Sequence, residues 1–258
     1  MQTVTYGCGM PLYCLAHLFI SSTATADEMT TSKFVDHRNV EKLEDLPLSI
    51  IVGYGVPTVL MCIPLDNNLL HQWLGAVWQG HPLWILLLQW LLRALRTGRV
   101  EQAEAANKRK ANTRHLSRVR NRAYLFALGA AAITHIATLA VIAQRALFPR
   151  LFSQWAQESI TLQNVYRPPP LLTNSPLKSM ELAVLNFLQY DMYCGSVTSN
   201  FWALSLYLES RRAPLGVGEG LSLSFKILSL CIAAGPSAVL VFLMYIRDEE
   251  TSMTNYIE

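Results

Sequence analysis

Six long apolar blocks dominate this chain and limit what it can fold into. They cover residues 3–22, 46–65, 69–92, 123–144, 182–208 and 221–246. Each is about 20 residues or longer, enough to cross a hydrocarbon core of roughly 30 Å at a helical rise of about 1.5 Å per residue. Five of the six hold no Asp, Glu or Arg. In lipid the backbone must satisfy its own hydrogen bonds, so such blocks are helices. The short alternating segments of a β-barrel do not occur in the sequence. The expectation is an all-α, polytopic transmembrane bundle of about six spanning helices, forming one domain over residues 1–258. Only 15% of the residues are charged and 52% are hydrophobic, whereas a soluble domain carries about a quarter charged residues. That balance excludes a disordered tail, a nucleic-acid-binding module and an ordinary water-soluble enzyme.

The net charge of +3 says less than its placement. Arg96, Arg99, Lys108, Arg109, Lys110, Arg114, Arg118, Arg120 and Arg122 stand against only Glu101 and Glu104 in one stretch. Flanked by apolar spans, residues 96–122 read as a basic cytosolic loop under the positive-inside rule, not as a nucleic-acid patch. The loop with Arg211 and Arg212 then also falls inside. So does the segment 21–45, which Lys33, Arg38 and Lys42 support although acids outnumber bases there.

The first span has a competing reading. Ala24-Thr25-Ala26 resembles a small-residue cleavage site behind an apolar run. A signal peptide would begin with a basic segment, which residues 1–6 lack, and Pro11, Tyr13 and His17 are unusual in its core. A retained helix is the expectation. It starts almost at Met1, so an upstream segment is expected to be missing. Residues 146–180 read as an extra-membrane loop, in which Leu151, Phe152, Trp155, Ile160 and Leu162 alternate with Gln154, Gln157, Glu158 and Gln163. This pattern suits an amphipathic helix at the membrane surface, stopped by Pro168, Pro169 and Pro170. It is either a plain surface loop or a lid over a lipid-accessible pocket. The cysteines (Cys8, Cys14, Cys62, Cys194, Cys231) are odd in number and lie in apolar spans without a CxxC pair, which argues against disulfides and zinc.

Ionisable residues at mid-depth are the informative ones in a membrane. Asp191 lies about nine residues, or roughly 14 Å, beyond the start of its span. A charged Asp there costs on the order of 3 kcal/mol, and its stem is too short to reach water. With no Arg at similar depth, the expectation is a neutral carboxylic acid, which is a Brønsted acid awaiting a basic oxygen. Helical spacing puts Asp191, Gly195, Thr198 and Trp202 on one face, with Asn186, Gln189, Tyr190, Tyr193 and Asn200 beside it. The competing role for these polar groups is interhelical hydrogen bonding. Lys226, read as lying near a helix end with a long stem, is expected to be structural. In the third block, Pro82 should kink the helix and Gln79 needs an internal partner, whereas Trp73 and Trp84 suit an aromatic belt. His17 and His135 each sit in a span as lone histidines, more often structural than chemical. No DDxxD, NSE-type or DxDD cluster, GxGxxG, P-loop, GxSxG elbow or histidine array occurs. The chemistry is therefore expected to need no metal, nucleotide or other cofactor.

Four stretches carry a resemblance. They are Gly9-Met10-Pro11-Leu12-Tyr13 with His17, Gly53-Tyr54-Gly55-Val56-Pro57-Thr58, Trp78-Gln79 followed by Pro82, and Phe187-Leu188-Gln189-Tyr190-Asp191 with Trp202. Together they resemble the fungal integral-membrane terpene cyclases, of the ascochlorin/ascofuranone-pathway meroterpenoid type, from Gly9 to about Leu208. The chain looks shorter at its N-terminus than that type. The resemblance implies a lipophilic substrate, an aromatic polyketide whose farnesyl chain ends in an epoxide. An acid protonates the epoxide, alkenes attack the resulting cation in sequence, and loss of a proton or 1,2-shifts end the cascade. On this reading Asp191 is the acid. Trp78, Tyr190, Tyr193 and Trp202 offer π faces to cations. Gln79, His135, Gln189 and Asn200 complete the substrate-binding set, where Gln79, His135 or Asn200 orients the acid or takes the final proton. Glu181 is a weaker candidate acid near a helix end. A membrane of the endoplasmic reticulum is the default location. Two other classes stay open: a small membrane transporter, and a non-catalytic membrane partner of a biosynthetic pathway.

Overall fold

A computed structural model describes residues 5–21, 37–63, 65–97, 108–170, 179–211 and 213–254. Ala24-Thr25-Ala26, Lys33, Arg99, Glu101, Glu104 and Arg212 lie outside them. Among the described residues the regular structure is helical, without strands. Three helical stretches are long and apolar enough to cross a membrane: Glu41–Cys62, His115–Leu147 and Val217–Ala234. Tyr6–Ile20 and His81–Leu95 are shorter apolar helices. The chain divides into two compact units.

The first unit spans residues 28–126 and includes α2 (His37–Ile50), a π-helical turn (Ile51–Gly55), α3 (Val56–Cys62), α4 (Asn68–Gln79), α5 (His81–Thr97) and the first half of α6 (Lys108–Leu147). Part of the segment expected as the 21–45 loop is therefore helical. Helix α2 packs on α5. The π-helical turn that follows also packs on α5, and there the close approach depends on Gly53: a Cβ would lie 2.9 Å from the Ile85 backbone nitrogen. The block 69–92 is not one kinked helix. Helix α4, capped at its start by the Asn67 side chain accepting from the Leu70 N–H, ends at Gly80, and α5 begins at His81. Pro82 thus sits in a first turn, where its missing N–H has no intrahelical partner to lose. The basic stretch is also helical from Lys108 onward, a continuous 40-residue helix rather than a loop running to Arg122.

The second unit spans residues 3–27 and 127–258. It contains α1 (Tyr6–Ile20), the rest of α6, two short helices α7 (Gln154–Ser159) and α8 (Leu162–Tyr166), α9 (Met180–Ser210), α10 (Val217–Ala234) and α11 (Pro236–Thr254). Helix α9 is the centre, flanked by α1 and α11, and α11 packs in turn on α10. Ala203, Val239 and Leu243 form the buried core of this group. The 31-residue α9 is long enough to span, but Asn186, Gln189, Asp191 and Asn200 lower its hydropathy, and it is not one of the three apolar stretches.

Two further elements differ from the expectation. The sixth block breaks at Gly235, whose φ of +87° ends α10, and Pro236 opens α11. The Gly-Pro pair is the cause, since glycine alone tolerates that backbone and proline cannot continue a helix. Lys226 consequently lies near the middle of α10, not its end, lining a cleft of about 510 Å³ with Arg211 and Glu219. The amphipathic stretch is two short helices separately capped by Ser153 and Thr161, not one surface helix. Gly235→Ala is expected to destabilise the chain by about 1–3 kcal/mol, because φ +87° with ψ 167° is a backbone region open to glycine alone. The cost rises further because the new Cβ would meet the His135 ring at 3.0 Å. Thermal unfolding in detergent measures it, and an unchanged midpoint would contradict the assignment.

Candidate functional site

The sequence-singled residues of α9 point two ways. Residues 191, 195 and 202 lie within about 40° of one another around the helix at 100° per residue, and 189, 193, 196 and 200 lie on the opposite side.

The first face meets α1. Helix α1 begins without a side-chain cap from Thr5. Instead the Gly7 N–H, one of the donors every helix start leaves unpaired, donates to Asp191 Oδ1 at 2.7 Å. The half-buried Asp191 enters no ion pair among the described residues. Glycines make the seam: a Cβ on Gly7 would lie 2.7 Å from the Asp191 carbonyl oxygen, and the Tyr6 ring occupies the space a Cβ on Gly195 would need. Farther along, Trp202 Nε1 donates to His17 Nδ1 at 3.3 Å, and the Tyr13 and Trp202 rings meet edge-on at 6.0 Å.

The second face lines a cavity of about 840 Å³. Its wall is mostly apolar, including Leu185, Leu188, Met192, Phe201, Leu204 and Leu243. Polar groups enter from α6 (Thr134, His135, Thr138), from α9 (Gln189, Tyr193, Ser196, Asn200) and from Tyr166 of α8. His135 Nε2 contacts the Ile232 carbonyl at 3.1 Å, one of the acceptors left over where α10 ends. A carbonyl only accepts, so Nε2 carries the proton and Nδ1 is the basic nitrogen.

One cavity wall is stitched on by α9. Gln189, only 4% exposed, donates from Nε2 to the Asn164 and Val165 carbonyls at 2.6 and 2.8 Å. Tyr193 donates to the Tyr166 carbonyl at 2.5 Å, and Tyr190 donates to the Pro169 carbonyl. The polar tips of all three are therefore engaged with the backbone of residues 164–169, while the Tyr193 ring still faces the cavity. Burial, together with the neighbouring Tyr193, pushes the Tyr166 phenol above its ordinary value.

Of the expected site residues, the cavity gathers His135, Gln189, Tyr193 and Asn200. Asp191 and Trp202 face α1 instead. Trp78 and Gln79 belong to the first unit. There Trp78 Nε1 donates to Thr58 Oγ1 at 3.1 Å, joining α4 to α3. Gln79 is exposed and its amide has no hydrogen bond among the described residues, contrary to the expectation of an internal partner. Ser196, Tyr166 and the Gly235-Pro236 break are not among the residues expected from the sequence. Only the last had a local signal, the helix-breaking dipeptide.

A family model, the CtvD domain, matches residues 1–251. The chain belongs to the CtvD-domain family. Among curated relatives of this family member, the terpene cyclase penA of Penicillium crustosum is 28% identical over 215 residues, covering 82% of the chain and 55% of the relative. The terpene cyclase ctvD of Aspergillus terreus is 26% identical over 253 residues, 95% of the chain and 64% of the relative. The terpene cyclase ascI of Acremonium egyptiacum is 25% identical over 247 residues, 93% of the chain and 58% of the relative. The CtvD-domain chain thus spans about half to two thirds of the length of these relatives. No solved structure matches it.

Proposed function

We propose that this CtvD-domain chain is a membrane-embedded terpene cyclase acting on a farnesylated aromatic polyketide with a terminal epoxide. The observation that carries the reading is the apolar cavity of about 840 Å³ in a chain whose named relatives are terpene cyclases. A cleft of this size, mostly apolar and rimmed by few polar groups, suits a polyprenyl compound whose cationic intermediates water would quench. The Tyr166 and Tyr193 rings provide π faces along its wall. Asp191 supplies the proton to the epoxide oxygen, opening the ring to a tertiary cation that the internal alkenes attack in turn. Loss of a proton from the last cation returns the balance, so substrate and product are isomers. This assignment requires the substrate to reach around α9 with α1 displaced, since the carboxyl faces α1 on the side of α9 opposite the cavity. The three apolar stretches, with α1, α5 and α9, would complete about six crossings of an endoplasmic-reticulum membrane.

The Gly7 hydrogen bond favours a second reading of Asp191 alone: a cap that fixes the start of α1, with the proton supplied elsewhere. The comparison of Asn and Ala at this position, argued below, separates the two.

The cyclase reading is tested by giving membranes that carry the chain an epoxyfarnesyl phenol and examining the product by mass spectrometry. A product of unchanged mass that has lost the epoxide is expected. Ser196→Phe, which fills the cavity from a buried α9 position, should reduce that product at least about tenfold while the chain still inserts. Unaltered substrate with the wild-type chain would end the reading. Transbilayer flux of the same compound without chemical change would favour a transporter.

A further inference from the structure

Lys226 is an unanswered cation in an apolar helix. It stands nine residues beyond the start of α10, one of the three stretches apolar enough to cross a membrane. Among the described residues it enters no ion pair or hydrogen bond. A charged side chain within a span is rare and marks a functional site by default. Helical side chains lean toward the helix N-terminus, so the long Lys226 stem leads toward the Arg211 end of the bundle. There it lines a cleft of about 510 Å³ between α9, α10 and α11. Helix α11 brings the half-buried Glu249 and Glu250 into the same cleft. Arg211 is already engaged: it donates to the Tyr207 hydroxyl at 3.0 Å and pairs with Glu219 at 2.8 Å. With that pair neutralised, one ammonium and two carboxylates share the cleft, and no ion pair joins Lys226 to either glutamate. Phe242 and Ile246 add an apolar wall.

We infer that this cleft binds the headgroup of a zwitterionic phospholipid carrying a primary amine, a phosphatidylethanolamine. The phosphate oxygens accept from the Lys226 ammonium in a charge-assisted bond. The lipid's own ammonium donates to Glu249 and Glu250, which as carboxylates only accept. Its glycerol and first acyl carbons lie along Phe242 and Ile246. Charge decides among headgroups. Basic pockets between membrane helices take anionic lipids, but here the glutamates outnumber the one cation left unpaired and repel a purely anionic headgroup. A choline brings positive charge without an N–H to donate. An ethanolamine headgroup meets both signs of charge with the right hydrogen-bonding partners. The cyclase reading uses no residue of this cleft.

The full chain is reconstituted in vesicles holding equal amounts of dioleoyl phosphatidylethanolamine, phosphatidylcholine and phosphatidylglycerol. It is then extracted gently, and native mass spectrometry identifies the lipid it retains. The wild type should hold phosphatidylethanolamine about fivefold over either other lipid. Lys226→Met should cut that retention about tenfold through loss of one charge-assisted bond, whereas Lys226→Arg should keep it. Methionine removes a charge from an apolar helix, so the variant still inserts. Glu249→Gln combined with Glu250→Gln should hold phosphatidylethanolamine and phosphatidylcholine alike. Equal retention by the wild type and Lys226→Met overturns the inference. So does a wild type that favours phosphatidylglycerol, which would make the cleft an anionic-lipid site, or one that holds the three lipids equally.

Discussion

Asp191→Asn is expected to lower product formation by about 10²–10⁴-fold, the usual contribution of a positioned general acid, while the chain keeps near-normal stability. Both halves follow from one geometry. The Asp191 oxygen that the structure engages is an acceptor for the Gly7 N–H at 2.7 Å, and an Asn side chain in the same rotamer presents an equivalent acceptor. Its amide has no acid proton of use to an epoxide. Asp191→Ala removes acid and acceptor together, so it should lose product and in addition about 1 kcal/mol of stability for the abandoned donor. Product yield from membranes and the unfolding midpoint of the detergent-extracted chain are the two readouts. If the Asn variant keeps its activity while the Ala variant loses it, Asp191 is a cap for α1 and the acid must be sought elsewhere. If both variants keep it, Asp191 has neither role.

Gly7→Ala is expected to destabilise the chain by about 2–4 kcal/mol, combining overpacking with a strained or broken hydrogen bond. The added methyl would sit 2.7 Å from the Asp191 carbonyl oxygen and 2.9 Å from its Cα. These are backbone atoms of α9, so relief requires the two helices to separate rather than a side chain to rotate. Gly195→Ala should cost less, because its obstacle is the Tyr6 ring, which can swing aside. Gly7→Leu should leave little folded protein. Since small residues let membrane helices approach this closely, α1 would be held mainly by its remaining contacts with α9, and product should fall in step with stability. Equal unfolding midpoints for wild type and Gly7→Ala would show that α1 does not pack as described.

Helix content was legible because apolar run length is a strong signal, and Glu41–Cys62 and His115–Leu147 overlap two of the expected spans. The breaks were less visible. Gly80-His81-Pro82 and Gly235-Pro236 interrupt runs that hydropathy alone joins, since hydropathy averages over the few residues that decide whether a helix continues. The common face of Asp191, Gly195 and Trp202 follows from helical arithmetic, but what that face meets does not. Whether a side chain looks into a cavity or onto a neighbouring helix is set by packing partners about 185 residues away in sequence, as the His17–Trp202 bond shows. For Gln189 and Tyr190 the residue type suggested recognition, yet backbone carbonyls of residues 164, 165 and 169 are their partners. No local pattern announces an acceptor of that kind.

The attachment of residues 164–169 to α9 by Gln189, Tyr190 and Tyr193 has an evolutionary consequence. Every donor in that attachment grips main-chain oxygen, which all amino acids share. The gripped segment is therefore an exchangeable panel: Val165 and Tyr166 can be swapped for side chains of other bulk without unfastening it. A scaffold of this kind lets descendants remould the cavity's contour while inheriting the same attachment to α9.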